Sequence, residues 1–503
     1  MVMTVMTEMT VMTDSASACA SSCASEDSVS LSSDDVDHGQ HEYDFRGDIL
    51  NNRYAIFYKL GSGAYSTVWL AYDIDDGKFY AFKIQYSEDY DEGVDEVKFL
   101  RKIGTTPYIT NLLEAFVVIR IDNEYICMKM DLCAGTLYDV IKTLRHTAQT
   151  TLSISMVQTI TRQLCRGLAA IHQTGTIHAD IKPENILLSG LSENVKQAID
   201  TFTKMDFPKI YTDLRQKYIV DKQLNTAKDK HKKKLRKEKG NLYRAALQII
   251  MLEINNTESE DDNTTYSLAS SSSQSLSDVS CQSNQSHHSD HSATAKESDS
   301  DAEDDPQYNS IAQEYIDQCD IRITDFGTIV AVQDNQYDEI QTRHYRAPEV
   351  ILGLKYTSTC DVWSMGCTLY ELFTGKILFN PNKTDLISRD EYHLLDIYHS
   401  VGPFDKNMLK KSPRKKDFAN INVTRTNVTP TLEDSVRQHY TAHHTAHHTE
   451  HHTENHTAQI SRVDLFVDFL KQTLMVNGNK RPTVAELQNH AFLSLTNDNK
   501  VNQ

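Results

Sequence analysis

The stretch His178-Ala179-Asp180-Ile181-Lys182-Pro183-Glu184-Asn185 spaces its polar side chains as a phosphoryl-transfer loop does. An aspartate, a lysine two residues on and an asparagine three beyond that divide the work. Asp180 can accept or orient the proton of a hydroxyl nucleophile. Lys182 can neutralise charge on the moving phosphoryl group, and Asn185 can hold a magnesium ion.

Such a loop needs a grip on the phosphate donor, and three other places supply one. The run Leu60-Gly61-Ser62-Gly63-Ala64-Tyr65-Ser66-Thr67-Val68 follows a strand-like segment. Its glycines let the backbone turn sharply and bring N–H groups close to phosphates, and Val68 can cover an adenine ring. Lys83 lies in Ala81-Phe82-Lys83, on what reads as a buried strand, where an amine is costly unless paired. Glu96, on the following helix, is the natural partner, and the pair would anchor the donor's phosphates. Asp325-Phe326-Gly327 follows the apolar run Ile321–Ile323. Asp325 and Asn185 are the expected metal ligands, with ATP and Mg²⁺ as the expected nucleotide and ion.

The elements that position these groups can be read from periodicity. Tyr54 to Leu60, Ser66 to Tyr72 and Phe79 to Gln85 are β-type runs, and Asp75-Asp76-Gly77 is a hairpin signal. Val94, Val97, Leu100 and Ile103 recur at helical spacing, and two further strands are expected near Leu112–Ile119 and Tyr125–Met130. Helical patterns dominate from Leu137 to Gly175 and return from Thr359. Shifts in composition divide the chain into seven stretches. A Ser/Asp/Glu-rich tail (1–42) precedes a small β lobe (43–135) and the first part of a helical lobe (136–190). An insert (191–314) interrupts that lobe, which resumes over 315–401. A second variable insert (402–459) precedes the end of the lobe and a short tail (460–503).

Within the first insert, Val195 to Ile254 is charged and helix-prone; its strongly basic run, Lys228 to Lys239, reads mainly as an exposed charged helix, with a nuclear-import or partner patch as the alternative. Asn255 to Pro306 is low-complexity and expected to be disordered, as is the tail. The repeat from Thr441 to His456 sets histidines four residues apart, a spacing that can chelate Zn²⁺ or Ni²⁺ on one helix face, but repeat expansion in a tolerant loop is the reading that explains the pattern.

Composition narrows the function. The 503 residues carry a net charge of −19 and have no broad basic face, which speaks against direct binding of nucleic acid and suits a basic peptide. Nine cysteines lack paired metal-ligand spacing and fit buried thiols in a reducing compartment. No apolar run reaches transmembrane length, and Met1 to Thr13 lacks the basic start of a secretory signal. An intracellular monomer, cytoplasmic or nuclear and without a membrane anchor, is expected.

Glycine loop, strand lysine, helix glutamate, H-x-D-x-K-x-x-N, D-F-G and Ala347-Pro348-Glu349 follow one another in a fixed order. In that order the chain resembles a eukaryotic-type protein kinase over about residues 50–190 and 315–494. The resemblance implies an α+β, bilobal fold: a small five-stranded β lobe with one helix and a larger helical lobe, here with long disordered insertions. It also implies that buried Asp361 tethers the catalytic-loop backbone and that Arg481 pairs with Glu349. Ile340 to Glu349 is similar to the CMGC group. Gly47–Tyr54, Ser66–Leu70 and Ser388–His393 are similar to SR-protein kinases, which also carry a long spacer before the D-F-G.

This resemblance implies serine/threonine specificity through Lys182 and protein substrates rich in Arg and Ser. Asp385, Asp390 and Glu391 would then form an acidic docking surface for guanidinium groups. A kinase of broad or acidic specificity and a pseudokinase scaffold are the alternatives. Ala179 stands where most protein kinases have an arginine that reads an activation-loop phosphate. Its absence implies an activation segment ordered by its own packing. The alternative is that another basic residue reads a phosphate at Tyr337 or Thr342.

Overall fold

A computed structural model describes residues 43–63, 65–121, 123–146, 151–221, 239–251, 311–332, 339–381, 387–415, 430–444 and 453–494. The N-terminal tail, the low-complexity part of the insert, nearly all of the basic run and the centre of the histidine repeat lie outside these residues.

The apolar runs of the first lobe form one antiparallel sheet. Its strands are β1 (Ile49–Leu50), β2 (Tyr54–Ser62), β3 (Ser66–Asp73), β4 (Lys78–Gln85), β5 (Leu112–Arg120) and β6 (Asn123–Met130), in the order β1-β2-β3-β4-β6-β5. The five expected strands are joined by β1, whose two residues pair with Ala55 and Tyr54 and are too few to show a period. The hairpin between β3 and β4 closes at Gly77, which takes φ +71° and donates its N–H to Asp73 O at 2.8 Å. Helix α1 (Tyr90–Ile103) follows β4 and buries Glu96, Val97, Phe99 and Leu100.

Both faces of this sheet are covered, which is why its strands read as apolar runs rather than as clean alternation. Tyr54, Ile56, Trp69, Ala71, Phe82 and Phe116 bury one face together. Ala55, Phe57 and Leu70 point the other way, against three helices of the insert: α2 (Glu193–Lys204), α3 (Phe207–Asp221) and α4 (239–251). Val195, Ala198, Phe202, Phe207, Tyr243 and Leu247 supply the insert's side of that contact. The charged, helix-prone first half of the insert is thus part of the fold.

In the helical lobe, helix α5 (Thr359–Thr374) is buried along its whole length. Asp361 in its first turn lies against the catalytic loop, and its charge is answered there by the N–H groups of His178 and Ala179. That loop runs between β7 (Thr176–Ile177) and β8 (Ile186–Ser189). β8 pairs antiparallel with β9 (Ile321–Ile323), Ile186 opposite Ile323. The pairing brings Thr324 N to 3.0 Å from Asn185 O, so the insert leaves and re-enters the lobe between two strands that lie side by side. The Asp-Phe-Gly segment therefore starts beside the end of the catalytic loop.

Candidate active site

Lys83 Nζ donates to both oxygens of Glu96, at 2.9 and 2.7 Å, and to Asp325 Oδ1 at 2.7 Å. Burial alone would favour the neutral amine, but the two carboxylates outweigh it and hold the lysine pKa above its usual value. The same contact holds the Asp325 carboxyl below the usual range despite its burial. Phe326 is fully buried, with Phe99 at 4.8 Å and His178 at 5.2 Å between ring centres, and its N–H reaches Glu96 Oε1 at 3.2 Å. The Asp-Phe-Gly turn is thus folded inward, with Asp325 at φ +65°.

Asp180 is held from three sides. Thr342 donates its N–H (3.1 Å) and its hydroxyl (2.6 Å) to Oδ1. Asn185 Nδ2 reaches Oδ2 at 2.9 Å, and Lys182 Nζ reaches the same oxygen at 2.7 Å. Lys182 also donates to Thr342 Oγ1 at 2.9 Å. His178 braces the loop from behind: Asp180 N–H donates to its Nδ1 at 3.2 Å, and Nε2 lies 3.0 Å from Thr324 O. Those contacts together require the proton on Nε2. The expected tether is present, with Asp361 accepting the N–H groups of His178 and Ala179. So is the buried pair of Arg481 with Glu349, at 2.7 and 3.1 Å.

The glycine loop lies at the tip of the β2–β3 hairpin, closed by Gly63 N–H to Ser66 O at 2.8 Å. A Cβ at Gly61 would meet nothing within 4 Å, so no neighbour of its own requires glycine there and the space is open to phosphates. Val68 stands opposite Lys83 in the register, on the same face. Thr67 turns to the other face, where its buried hydroxyl accepts Trp69 Nε1 at 2.9 Å, so only its backbone can reach a nucleotide. Leu60 is half-buried beside the insert helices, Ser66 is buried, and Tyr65 is 50% exposed. Ala64 lies outside the described residues.

The donor set fits a magnesium ion. Asp325 and Asn185 offer carboxylate and amide oxygens from adjacent strand ends, and Asn185 uses its Nδ2, not its Oδ1, to bond Asp180. Among the described residues no group of three or more His, Cys, Asp or Glu side chains could hold a metal. Mg²⁺ is commonly held by one or two protein oxygens, with water and phosphate completing the shell.

Of the three expected docking carboxylates, Asp385 lies outside the described residues, and Glu391 is half-buried in the first turn of helix α6 (Arg389–Ser400). Asp390 is engaged inside the molecule by Arg343 and Arg414. Sequence reading missed the support of the activation segment. Arg346 donates Nε and Nη2 to Gln341 O, at 3.1 and 2.8 Å, and its Nη1 pairs with Glu339. Glu339 also pairs with Arg343 at 3.4 Å. The Gln341 amide bonds Cys360 O, Ser364 Oγ and Ala347 N. The Thr342-Arg343 and Tyr345-Arg346 steps ahead of Ala347-Pro348-Glu349 were the available signal.

Comparison with known proteins adds to this geometry. The protein kinase domain family matches residues 54–200 and 311–493. The protein named "Putative serine/threonine-protein kinase L205", of Acanthamoeba polyphaga mimivirus, is 30% identical over 433 residues, 76% of this chain and 78% of that one. Serine/threonine-protein kinase spk-1 of Caenorhabditis elegans is 29% identical over 437 residues, 75% of this chain and 43% of that one. SRSF protein kinase 3 of Homo sapiens is 25% identical over 436 residues, 74% of this chain and 76% of that one.

Proposed function

The chain belongs to the protein kinase family as a serine/threonine kinase akin to the SR-protein kinases, and we propose that it phosphorylates Arg/Ser-rich proteins without needing a phosphate on its own activation segment. The observation that carries the catalytic part is the closed set Glu96–Lys83–Asp325, which the bond from Thr324 N–H to Asn185 O sets beside the loop that carries Asp180. In this reading Lys83, fixed by Glu96, grips the donor phosphates beneath the glycine loop from Leu60 to Val68. Asp180 accepts the hydroxyl proton of the substrate as its oxygen bonds the γ-phosphorus and the bond from that phosphorus to ADP breaks. Lys182 offsets the charge that develops. Asn185 and Asp325 hold Mg²⁺, which when bound supplies positive charge to the phosphate oxygens. Positioning and electrostatics, rather than covalent chemistry, account for the rate.

Independence from phosphorylation is supported by Ala179 and by Glu339. A carboxylate that joins Arg343 and Arg346 does what an activation-segment phosphate does elsewhere, tying two arginines at one point. The Thr342 hydroxyl, spent on Asp180 and Lys182, is a poor place for a regulatory phosphate. Tyr337 lies outside the described residues.

For the substrate, the support is the kinship with SR-protein kinases and the charge of −19. Broad specificity gains from one observation, the internal engagement of Asp390. A peptide array that sets Arg-Ser repeats against acidic sequences separates the two. Preference for the repeats supports the first, and equal or better use of acidic peptides removes it. We place the enzyme inside the cell as a monomer acting on protein substrates. No helix among the described residues is long and apolar enough to cross a membrane.

A further inference from the structure

Thr342 reaches Asp180 from outside the catalytic loop, through both its N–H and its hydroxyl. What fixes Thr342 is found one residue on. The guanidinium of Arg343 extends to Asp390, at the start of α6. The other oxygen of Asp390 accepts Arg414 Nη2 at 2.6 Å. Arg414 is itself moored, donating Nη1 to Ile351 O at 2.9 Å, and Ser412 beside it donates to Leu352 O at 2.6 Å. A continuous set of bonds therefore runs from the end of the short helix Pro348–Ile351 through Arg414, Asp390 and Arg343 to the catalytic carboxylate.

We propose that Asp390 is a positioning residue of the transfer reaction: by bridging Arg343 and Arg414 it fixes Thr342 against Asp180. Both of its oxygens are occupied and its side chain is 14% exposed, so it is closed to the guanidinium of an arriving peptide. Burial works against its charge, but the bonds from Arg414 and Arg343 hold its carboxyl below the usual range, so it is ionised across the physiological range. Arg346 also lies near Arg343, and Asp390 and Glu339 are the carboxylates that pair with these two guanidiniums. A small displacement of Thr342 moves the group that accepts the substrate proton, and geometry at that level is worth large factors in rate.

This inference rests on Asp180 as the catalytic carboxylate and is independent of the Arg/Ser-rich substrate. Wild type, Asp390→Asn, Arg343→Met and the double variant are assayed at saturating ATP on an Arg-Ser repeat peptide and on an arginine-free serine peptide. Asp180→Asn is run alongside. Asp390→Asn is expected to lower kcat about tenfold, by the same factor on both peptides. The double variant is expected to be no slower than the slower single one, as for two residues acting through one bond. A loss confined to the KM of the Arg-Ser peptide would make Asp390 a docking carboxylate and overturn the proposal. Unchanged kcat, or losses that add in the double variant, would overturn it too. Activity in Asp180→Asn would remove the catalytic reading beneath it, whatever Asp390→Asn does. If Asp390→Asn does not fold, Arg414→Met takes its place, with a smaller loss of kcat that is equal on both peptides; no loss there rejects the relay.

Discussion

Asp361 holds Ala179 in a left-handed conformation. Its carboxylate accepts the N–H groups of His178 and Ala179 at 2.8 and 2.9 Å, and Ala179 sits at φ +67° with its side chain buried. An L-residue with a Cβ disfavours that region by about 1–2 kcal/mol, so the loop stays in place only because something pulls on it. The carboxylate is fully buried and also accepts His172 Nε2 at 2.9 Å; burial raises its pKa, and these bonds bring the net value below the usual range. Asp361→Asn turns an acceptor into a partial donor facing two N–H groups. The expected cost is about 2–4 kcal/mol, read as a lower denaturation midpoint. A variant as stable as wild type would mean that the loop holds itself.

Asp180→Asn keeps the size of the side chain and removes the carboxylate proposed to accept the proton. Transfer is expected to fall by at least about a hundredfold, the usual scale for a lost general base. The Glu96–Lys83–Asp325 set is untouched, so the dissociation constant for ATP is expected to stay within about threefold. Lys83→Met should reverse the pattern and weaken the nucleotide first, because Lys83 meets Asp325 and Asp180 does not. Titration with a fluorescent nucleotide beside a steady-state assay distinguishes the two. Retained transfer in Asp180→Asn would overturn the assignment.

Phosphatase treatment is expected to leave kcat within about twofold, because Glu339 already joins Arg343 and Arg346. Glu339 is 64% exposed, so each bond is screened and worth little alone. Glu339→Ala is expected to lower kcat by only about threefold to tenfold, and 0.5 M salt to reproduce part of that loss in wild type. Abolition of activity by dephosphorylation would show that a phosphate, and not this carboxylate, orders the segment.

Two buried groups give opposite pH dependences. His393 is fully buried, neither ring nitrogen has a partner, and burial with nearby Arg343 and Arg346 lowers its pKa to about 3. Unfolded histidine titrates near 6.5, so below that pH the unfolded chain binds the extra proton. Its contribution is whole above pH 6.5 and is lost as pH falls toward 3. Glu371 is buried, accepts Tyr345 OH at 2.6 Å, and is pushed up to about 7, chiefly by burial. Its folded form holds the proton that the unfolded chain releases near 4.5. Its contribution is whole below 4.5 and is lost as pH rises toward 7. His393→Leu should therefore gain about 2 kcal/mol on wild type at pH 5 relative to pH 8, and Glu371→Gln should gain at pH 8 relative to pH 5. Urea midpoints at the two pH values read both.

The proposed chemistry is legible because each of its residues sits in a short contiguous motif: Asp180, Lys182 and Asn185 in one loop, Lys83 on a strand, Asp325 beside Phe326. Spacing within a motif survives in a linear text. Partners chosen by tertiary path do not. Nothing in the order of residues says that Asp390 turns inward to Arg343 and Arg414, or that Glu339 reaches Arg346. Thr67 belongs to the run expected to grip the phosphate donor, yet strand alternation sends its side chain to the opposite side. The first half of the insert hid its buried face within a charged composition, and β1 was too short to show any pattern.

That buried face gives the last prediction. Phe202, in insert helix α2, is 2% exposed, with Phe57 at 4.4 Å, Tyr72 at 5.0 Å and Phe79 at 5.6 Å between ring centres. Those three rings belong to β2, β3 and β4, so one insert side chain fills the angle beneath three strands. Truncation to alanine leaves a cavity that the sheet can close only by bending, and the expected cost is about 3–5 kcal/mol. Leu60 of the glycine loop and Leu132, just past β6, pack on the same cluster, so ATP affinity should fall together with stability. An insert that merely decorated the lobe would tolerate the change. Denaturant unfolding and nucleotide titration of Phe202→Ala, with exposed Lys204→Ala as the control on the same helix, decide between a decoration and a structural layer of the small lobe.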